Sequence, residues 1–349
     1  MKYQLLTILL IGLAACEPAP NRIVATIPAT HTAVVLAPTT AAPTLAPTFT
    51  ATPEPEVTTV TETAEATEPA QTIISLATNT RAPTSAPTDT PTITPTLPRI
   101  DHYALSRPIA STGIDYLDRT YSYGDTQQGT RPVHLGVDFA NPRGTPVLAA
   151  AAGTVYYAGD DSERMFGPQL VYYGNLVVIE HDFPSPEGLP VYTLYGHLQS
   201  TSVTTGQRVN QGDQIGVVGD TGVAIGSHLH LEVRLGDPED YHNTRNPDLW
   251  IFPYPSFGTL AGRVTENGEL VYGLSITIQS LEGGSTRYAF TYADNSVNSD
   301  ATFGENFTFG DLPEGQFEVF VSTENGHIRF RQTILIQRGR TTWLDMPLD

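Results

Sequence analysis

The sequence predicts an all-β protein of two consecutive domains, an antiparallel sheet and then a small β-sandwich, preceded by a segment that does not fold. Three observations predict it. From about Ile100 onward, short runs of Val, Ile, Leu and Tyr alternate with Gly-, Asn- and Asp-rich turns. No stretch sustains the 3.6-residue period of an amphipathic helix. From Glu17 to about Pro98, by contrast, Thr, Pro and Ala dominate, as in "APTTAAPTLAPTFTATPEPEVTT", with too few large apolar side chains to bury a core.

Residues 1–15, "MKYQLLTILLIGLAA", read as a secretory signal: Lys2, an apolar run, then small residues. The run is too short to span a bilayer comfortably as a mature helix. Leu13-Ala14-Ala15-Cys16 resembles a bacterial lipobox, so Cys16 is the expected lipidation site. The chain is then expected to be exported and held at the cell membrane by lipid, facing the cell wall or periplasm. Cys16 is the one cysteine, so no disulfide forms and any metal site must use His, Asp and Glu. Residues 16–99 follow as a stalk whose proline content favours extended conformations of roughly 3 Å per residue, a reach on the order of 200 Å.

Residues 100–256 form the first expected domain. "GTPVLAAAAGTVYYAGD", "GNLVVIEHD", "PVYTLYGHLQS" and "HLHLEVRLG" read as strands with turn signals nearby. Residues 257–349 form the second, with strand-like "GTLAGRVTENG", "YGLSITIQSL", "NFTFGDLPEGQFEVFVST", "IRFRQTILIQRGR" and "TTWLDMPL". Regular turn spacing there suggests a small β-sandwich without the Cys…Trp…Cys pattern of immunoglobulin domains. The net charge is −19, with 7 acids against 4 bases in residues 1–100, 18 against 8 in 101–257 and 12 against 6 in 258–349. Acidity spread this way excludes a nucleic-acid binder and any pull toward anionic polymers.

The chemistry concentrates in about a hundred residues. His228 and His230 flank one leucine in "GSHLHLEVRLG", and side chains two apart on a strand share a face. In "RPVHLGVDFANPRG", His134 and Asp138 are four apart, an even step that again gives one face if the segment is extended. His197 lies between them in "YTLYGHLQS". Catalytic zinc commonly takes three N and O ligands and keeps a fourth position open, so His134, Asp138 and one member of the His228/His230 pair suit it. One carboxylate leaves the site net positive, which acidifies water. A lone histidine on a strand is ordinarily a packing or surface residue, the reading kept for His102, His181, His242 and His327, and Glu232 reads as structural or supporting the site.

The blocks "HLGVDFANPRGTPVLAAAAGTV", "GNLVVIEHD", "YGHL", "GQRVNQGDQIGVVGDTGVAIGSHLHLEVR" and "RNPDLWI", in that order, resemble the lysostaphin-type, or LytM-like, zinc metallopeptidases. The resemblance covers about residues 102–250 and implies an antiparallel sheet of the duplicated hybrid motif type. It implies one Zn²⁺ per chain on His134, Asp138 and His230, with His197 and His228 as catalytic histidines acting as acid, base and oxyanion stabiliser. It further implies a substrate in peptidoglycan stem or cross-bridge peptides. Non-catalytic LytM-like regulators, which activate another hydrolase, are the alternative; they typically lack the ligands that this sequence retains. "VNQGDQIGVVG" also looks like a biotinyl-carrier hairpin, but the region has no lysine for attachment. "DDSERMFGPQLVYYGN" and "FPSPEGLP" read as insertions lining the groove. The last segment resembles, more weakly, transthyretin-like or carboxypeptidase-regulatory-like sandwiches, with no catalytic residues implied.

Overall fold

A computed structural model of the protein describes residues 99–348. The signal, Cys16 and all but the last residue of the stalk lie outside the described residues. Strands β1 (Val137–Ala140), β2 (Pro146–Leu148), β3 (Gly153–Asp160), β4 (Asn175–Pro184), β5 (Pro190–Thr201), β6 (Arg208–Val209), β7 (Gln214–Val218), β8 (His228–Leu235) and β9 (Thr244–Arg245) form one antiparallel sheet. Its spine runs β1-β8-β5-β4-β3-β6, with β7 bridging β5 and β2. Among the described residues there is no α-helix, only a 3-10 turn at Pro247–Leu249.

The long apolar run at residues 144–160 is two strands rather than one. It breaks at Ala149–Ala152, a buried corner where only small side chains fit. Gly153 shows why, since a Cβ there would lie 2.2 Å from the Glu180 carbonyl oxygen. The central strands are buried on both faces over residues 176–179 of β4, 191–198 of β5 and 229–235 of β8, where β8 alternates apolar residues with the buried His230, Glu232 and Arg234.

The C-terminal segment folds as two four-stranded sheets. Its strands are β10 (Phe257–Glu266), β11 (Glu269–Leu270), β12 (Ser275–Ser280), β13 (Arg287–Phe290), β14 (Phe307–Pro313), β15 (Gly315–Ser322), β16 (Ile328–Ile336) and β17 (Thr341–Pro347). One sheet is β13-β12-β15-β16; in the other β10 pairs β11 and β14 antiparallel but β17 parallel. After β16 the chain leaves the β13-β12-β15-β16 sheet and closes the free side of β10 in the other. Asn306, which begins a glycosylation-like Asn-Phe-Thr triplet, is buried, and its side chain bonds Val264 N at 2.9 Å and Val271 O at 2.8 Å.

The two parts share a core. Tyr292, Val297, Phe303 and Ala261 belong to the same buried cluster as Leu105, Tyr123 and Trp250. Polar contacts cross beside it: Ala293 N donates to Gly124 O at 2.8 Å, Thr308 Oγ1 to Asp248 Oδ2 at 2.8 Å, and Arg107 Nη2 to both Asp311 oxygens at 2.6 and 2.7 Å.

Candidate metal centre

The site is built on the β1–β8 pair. Antiparallel register sets Asp138 opposite His230 and Ala140 opposite His228, so the carboxylate and both imidazoles meet on one face. Leu229 between them points into the core and is fully buried. His134 lies just before β1, not within it, and its backbone pairs with the 124–125 segment through His134 N to Asp125 O and Gly124 N to His134 O. This pairing still brings the ring over Asp138. Gly136 is required in between: a Cβ would stand 2.6 Å from Leu231 O and 2.7 Å from the His230 ring.

His197 comes in from β5, at the residue where that strand changes partner. β5 pairs with β8 through Gly196 and with β7 from Leu198 onward. His197 itself has φ 59°, a left-handed conformation unusual for a residue other than glycine. Its amide donates to Tyr173 O at 2.9 Å, and the kink turns the imidazole out of the sheet to within 4.8 Å, centroid to centroid, of His228.

Three potential ligand atoms converge. His134 Nε2 lies 3.1 Å from His230 Nδ1 and 3.3 Å from Asp138 Oδ1, and His230 Nδ1 lies 2.9 Å from Asp138 Oδ1. The far nitrogens are tied to acceptors: His134 Nδ1 to Tyr121 O at 2.7 Å and His230 Nε2 to Glu232 Oε1 at 3.1 Å. Each N–H so held leaves the other nitrogen's lone pair facing the shared point. His228 and His197 are arranged alike, with Nδ1 on Gly226 O at 3.1 Å and Thr221 O at 2.9 Å.

Behind the ligands runs a buried charged network. Arg234 donates to Glu232 Oε2 at 2.6 Å, to Phe166 O at 2.9 Å, to Pro238 O at 2.8 Å and to the Tyr173 hydroxyl at 2.9 Å, while that hydroxyl donates to Glu232. Asp161 holds the loop supplying Tyr173 by accepting from the amides of Tyr172, Tyr173 and Gly174 at 2.9, 2.8 and 2.9 Å. Of these residues the sequence marks only Glu232, because the pairing of Tyr173 and Phe166 with β8 spans about sixty residues and leaves no local signature.

Electrostatics follow from burial and pairing. Burial alone would raise the Asp138 carboxyl, but His134 and His230 hold it well below the usual range. Burial would lower His230, yet bonds to Asp138 and Glu232 lift it to about 9. Burial, then repulsion from His230 and His228, pushes His197 down to about 3, and burial also lowers His228. Both stay neutral at physiological pH.

A cleft of about 260 Å³ opens over these groups, lined also by Tyr121, Arg131, Tyr172, Val223, Ile225 and Tyr241. Tyr172 places the 161–174 insertion at the groove. "FPSPEGLP" does not reach it: it forms the β4–β5 hairpin end, where Phe183 stacks on His181. His181 bonds Thr193 Oγ1 at 2.8 Å, and His102 is an interior residue paired with Asp300 at 3.0 Å.

Residues 132–244 match the model of peptidase family M23. The DD-carboxypeptidase/endopeptidase Mpg of Neisseria meningitidis serogroup B is 42% identical over 107 residues, 30% of this chain and 21% of that protein. Peptidoglycan DD-endopeptidase ShyC of Vibrio cholerae is 38% identical over 138 residues, 40% of this chain and 27% of that protein. Cell division protein DipM of Caulobacter vibrioides is 39% identical over 107 residues, 31% of this chain and 15% of that protein. The match thus spans about a quarter or less of these relatives' own length. Within those bounds, residues 132–244 of this chain form a domain of the metallopeptidase family M23.

Proposed function

We propose that the protein is a zinc endopeptidase that hydrolyses peptide cross-links of peptidoglycan, with His134, Asp138 and His230 as ligands and His197 and His228 as catalytic residues. One observation carries the zinc assignment. Ligands at about 2.0–2.1 Å in tetrahedral array stand about 3.3 Å from one another, and the three ligand atoms here are separated by 2.9–3.3 Å. An N₂O donor set with one carboxylate suits zinc and leaves a position for water or substrate.

Zinc bound there would supply a Lewis acid that polarises the scissile carbonyl and makes water nucleophilic at neutral pH. The chain's own groups do the rest. His228 and His197, neutral and with Nδ1–H fixed to carbonyls, each offer Nε2 as a proton acceptor for the attacking water. Once protonated, Nε2–H can donate to the developing oxyanion or return the proton to the leaving amine. Glu232 fixes the tautomer of His230, and Tyr121 O that of His134. The substrate class follows from relatives named as peptidoglycan endopeptidases. The regulator alternative has no observation in its favour, since all five side chains are present and face one cleft. Lipidated at Cys16, the enzyme would act from a membrane on the adjoining wall.

The test is to treat intact sacculi with the full chain, with and without chelator, and identify released fragments by mass spectrometry. Chelator-sensitive release of defined peptides is expected. No release from a chain carrying one zinc would overturn the substrate, and no release without zinc would favour the regulator.

A further inference from the structure

Arg131 is the one lysine or arginine among the described residues that line the cleft, and it is held without an anionic partner. The acids around it are engaged elsewhere: Asp138 with the histidines, Glu232 with His230 and Arg234, and Asp118 with Thr120 N and Oγ1 at 2.8 and 2.7 Å. No ion pair or side-chain hydrogen bond engages the guanidinium among the described residues; it lies 5.0 Å from the centroid of the Tyr121 ring. Tyr121 in turn stacks on His134 at 4.1 Å and 3°, and its hydroxyl is pinned to Pro132 O at 2.5 Å.

The loop that carries Arg131 is stiffly built. Gln127, Gln128 and Gly129 take φ of 46, 58 and 80° in succession, two of them without the freedom of glycine. Asp125 Oδ1 caps Thr126 N and Gln127 N at 2.7 and 3.0 Å, and Arg131 N closes the loop on Thr126 O at 3.0 Å. The loop therefore fixes the Arg131 backbone at the rim of the cleft, and its side chain lines that cleft. Val223 and Ile225, which also line the cleft, are exposed and apolar.

We infer that Arg131 is a specificity residue that takes a free carboxylate of the peptide substrate, on a residue close to the scissile bond. A planar guanidinium offers two parallel donors to a carboxylate, an arrangement lysine cannot copy. Separated from His134 by one stacked ring, it reaches a group within about three extended residues, at about 3.3 Å each, of the hydrolysed bond. The inference rests on the endopeptidase reading, and names as preferred substrate peptide cross-links in which a residue flanking the cut bond carries a free carboxylate rather than its amide.

Two cross-linked muropeptide dimers that differ only in that group, free acid or amide, test it on the full chain and on Arg131→Gln and Arg131→Lys. Wild type should show a KM about ten- to a hundredfold lower for the free acid, the range of a charge-assisted hydrogen-bonded contact. In Arg131→Gln the KM ratio between dimers should collapse toward one, and Arg131→Lys should recover part of it. Equal handling of both dimers by wild type, or an equal loss on both in Arg131→Gln, would overturn the inference. Calorimetric binding of the same dimers to chelator-treated protein separates the two claims. If neither dimer is cut but Arg131 still selects the free acid in binding, the endopeptidase reading falls and this one stands; indifferent binding ends it.

Discussion

At the residue scale, each of the five side chains in the cleft has a separable duty. His230 is the most committed, held between Asp138 and Glu232 with both nitrogens engaged. Removing it deletes one corner of the ligand triangle, so His230→Ala should lose both zinc and activity. His197 touches no member of that triangle by hydrogen bond, and its Nδ1 is spent on Thr221 O. His197→Ala should therefore keep close to one zinc per chain and lose about 10²- to 10⁴-fold in rate, the range for a positioned acid–base group. Zinc content by elemental analysis beside turnover separates the two, and full turnover in His197→Ala would refute its catalytic role. This residue scale is also where the sequence was most legible, because even spacings and the Tyr-Gly-His-Leu and His-Leu-His blocks are local. Tyr121, Tyr173 and Arg234 were not legible, because what each does is set by partners far along the chain.

At the element scale, backbone geometry decides where those side chains point. The apolar stretches of β4 and β5 and the period-two alternation of β8 announce those strands, whereas two-residue β6 and β9 are too short to carry a pattern. Hidden from pattern reading, too, is the switch of β5 from β8 to β7 at His197, since a change of pairing partner alters neither hydrophobicity nor period. The loop-to-strand junction before β1 makes a sharp demand directly beside the ligands. Gly136 lets the His230 ring and the Leu231 carbonyl close onto the backbone, where a methyl group would overlap both. Because the nearest atoms include strand backbone, little can yield. Gly136→Ala should cost about 1–3 kcal/mol of stability from overpacking and, by tilting His230, about ten- to a hundredfold in zinc affinity. Competition with a zinc-chelating dye reads the affinity; wild-type binding in a destabilised Gly136→Ala protein would show that the ring is not held by this contact.

At the scale of the whole molecule, the shared core joins the metallopeptidase domain to the sandwich, and a buried acid lies behind the residues that meet there. Periodicity finds strands in both parts, but no pattern within either announces that Tyr292 packs against Tyr123. Nor does any pattern mark Glu305, which accepts from the Tyr292 hydroxyl at 2.7 Å and from Asp300 N at 3.0 Å. Burial, then the charge of Asp300, pushes its carboxyl up to about 8. Asp300 is held low, against its own burial, by His102, and His102 is raised by Asp300, against its burial. The sign for Glu305 follows from linkage. Its folded form keeps a proton that the unfolded chain releases near the ordinary glutamate range of about 4.3. That contribution is complete below the unfolded value, declines as pH rises, and is gone above about 8. Gln at this position cannot ionise, so Glu305→Gln should gain on wild type by up to about 1.4 kcal/mol per pH unit across that window. Urea midpoints from pH 5 to 9 measure the difference between the two proteins, which cancels the titrations they share, His102 and Asp300 included. Curves that stay parallel would mean that Glu305 is ionised in the folded protein at neutral pH. Curves that diverge until about pH 8 and then run level would mark the seam between the two parts as a site where alkaline pH loosens the fold.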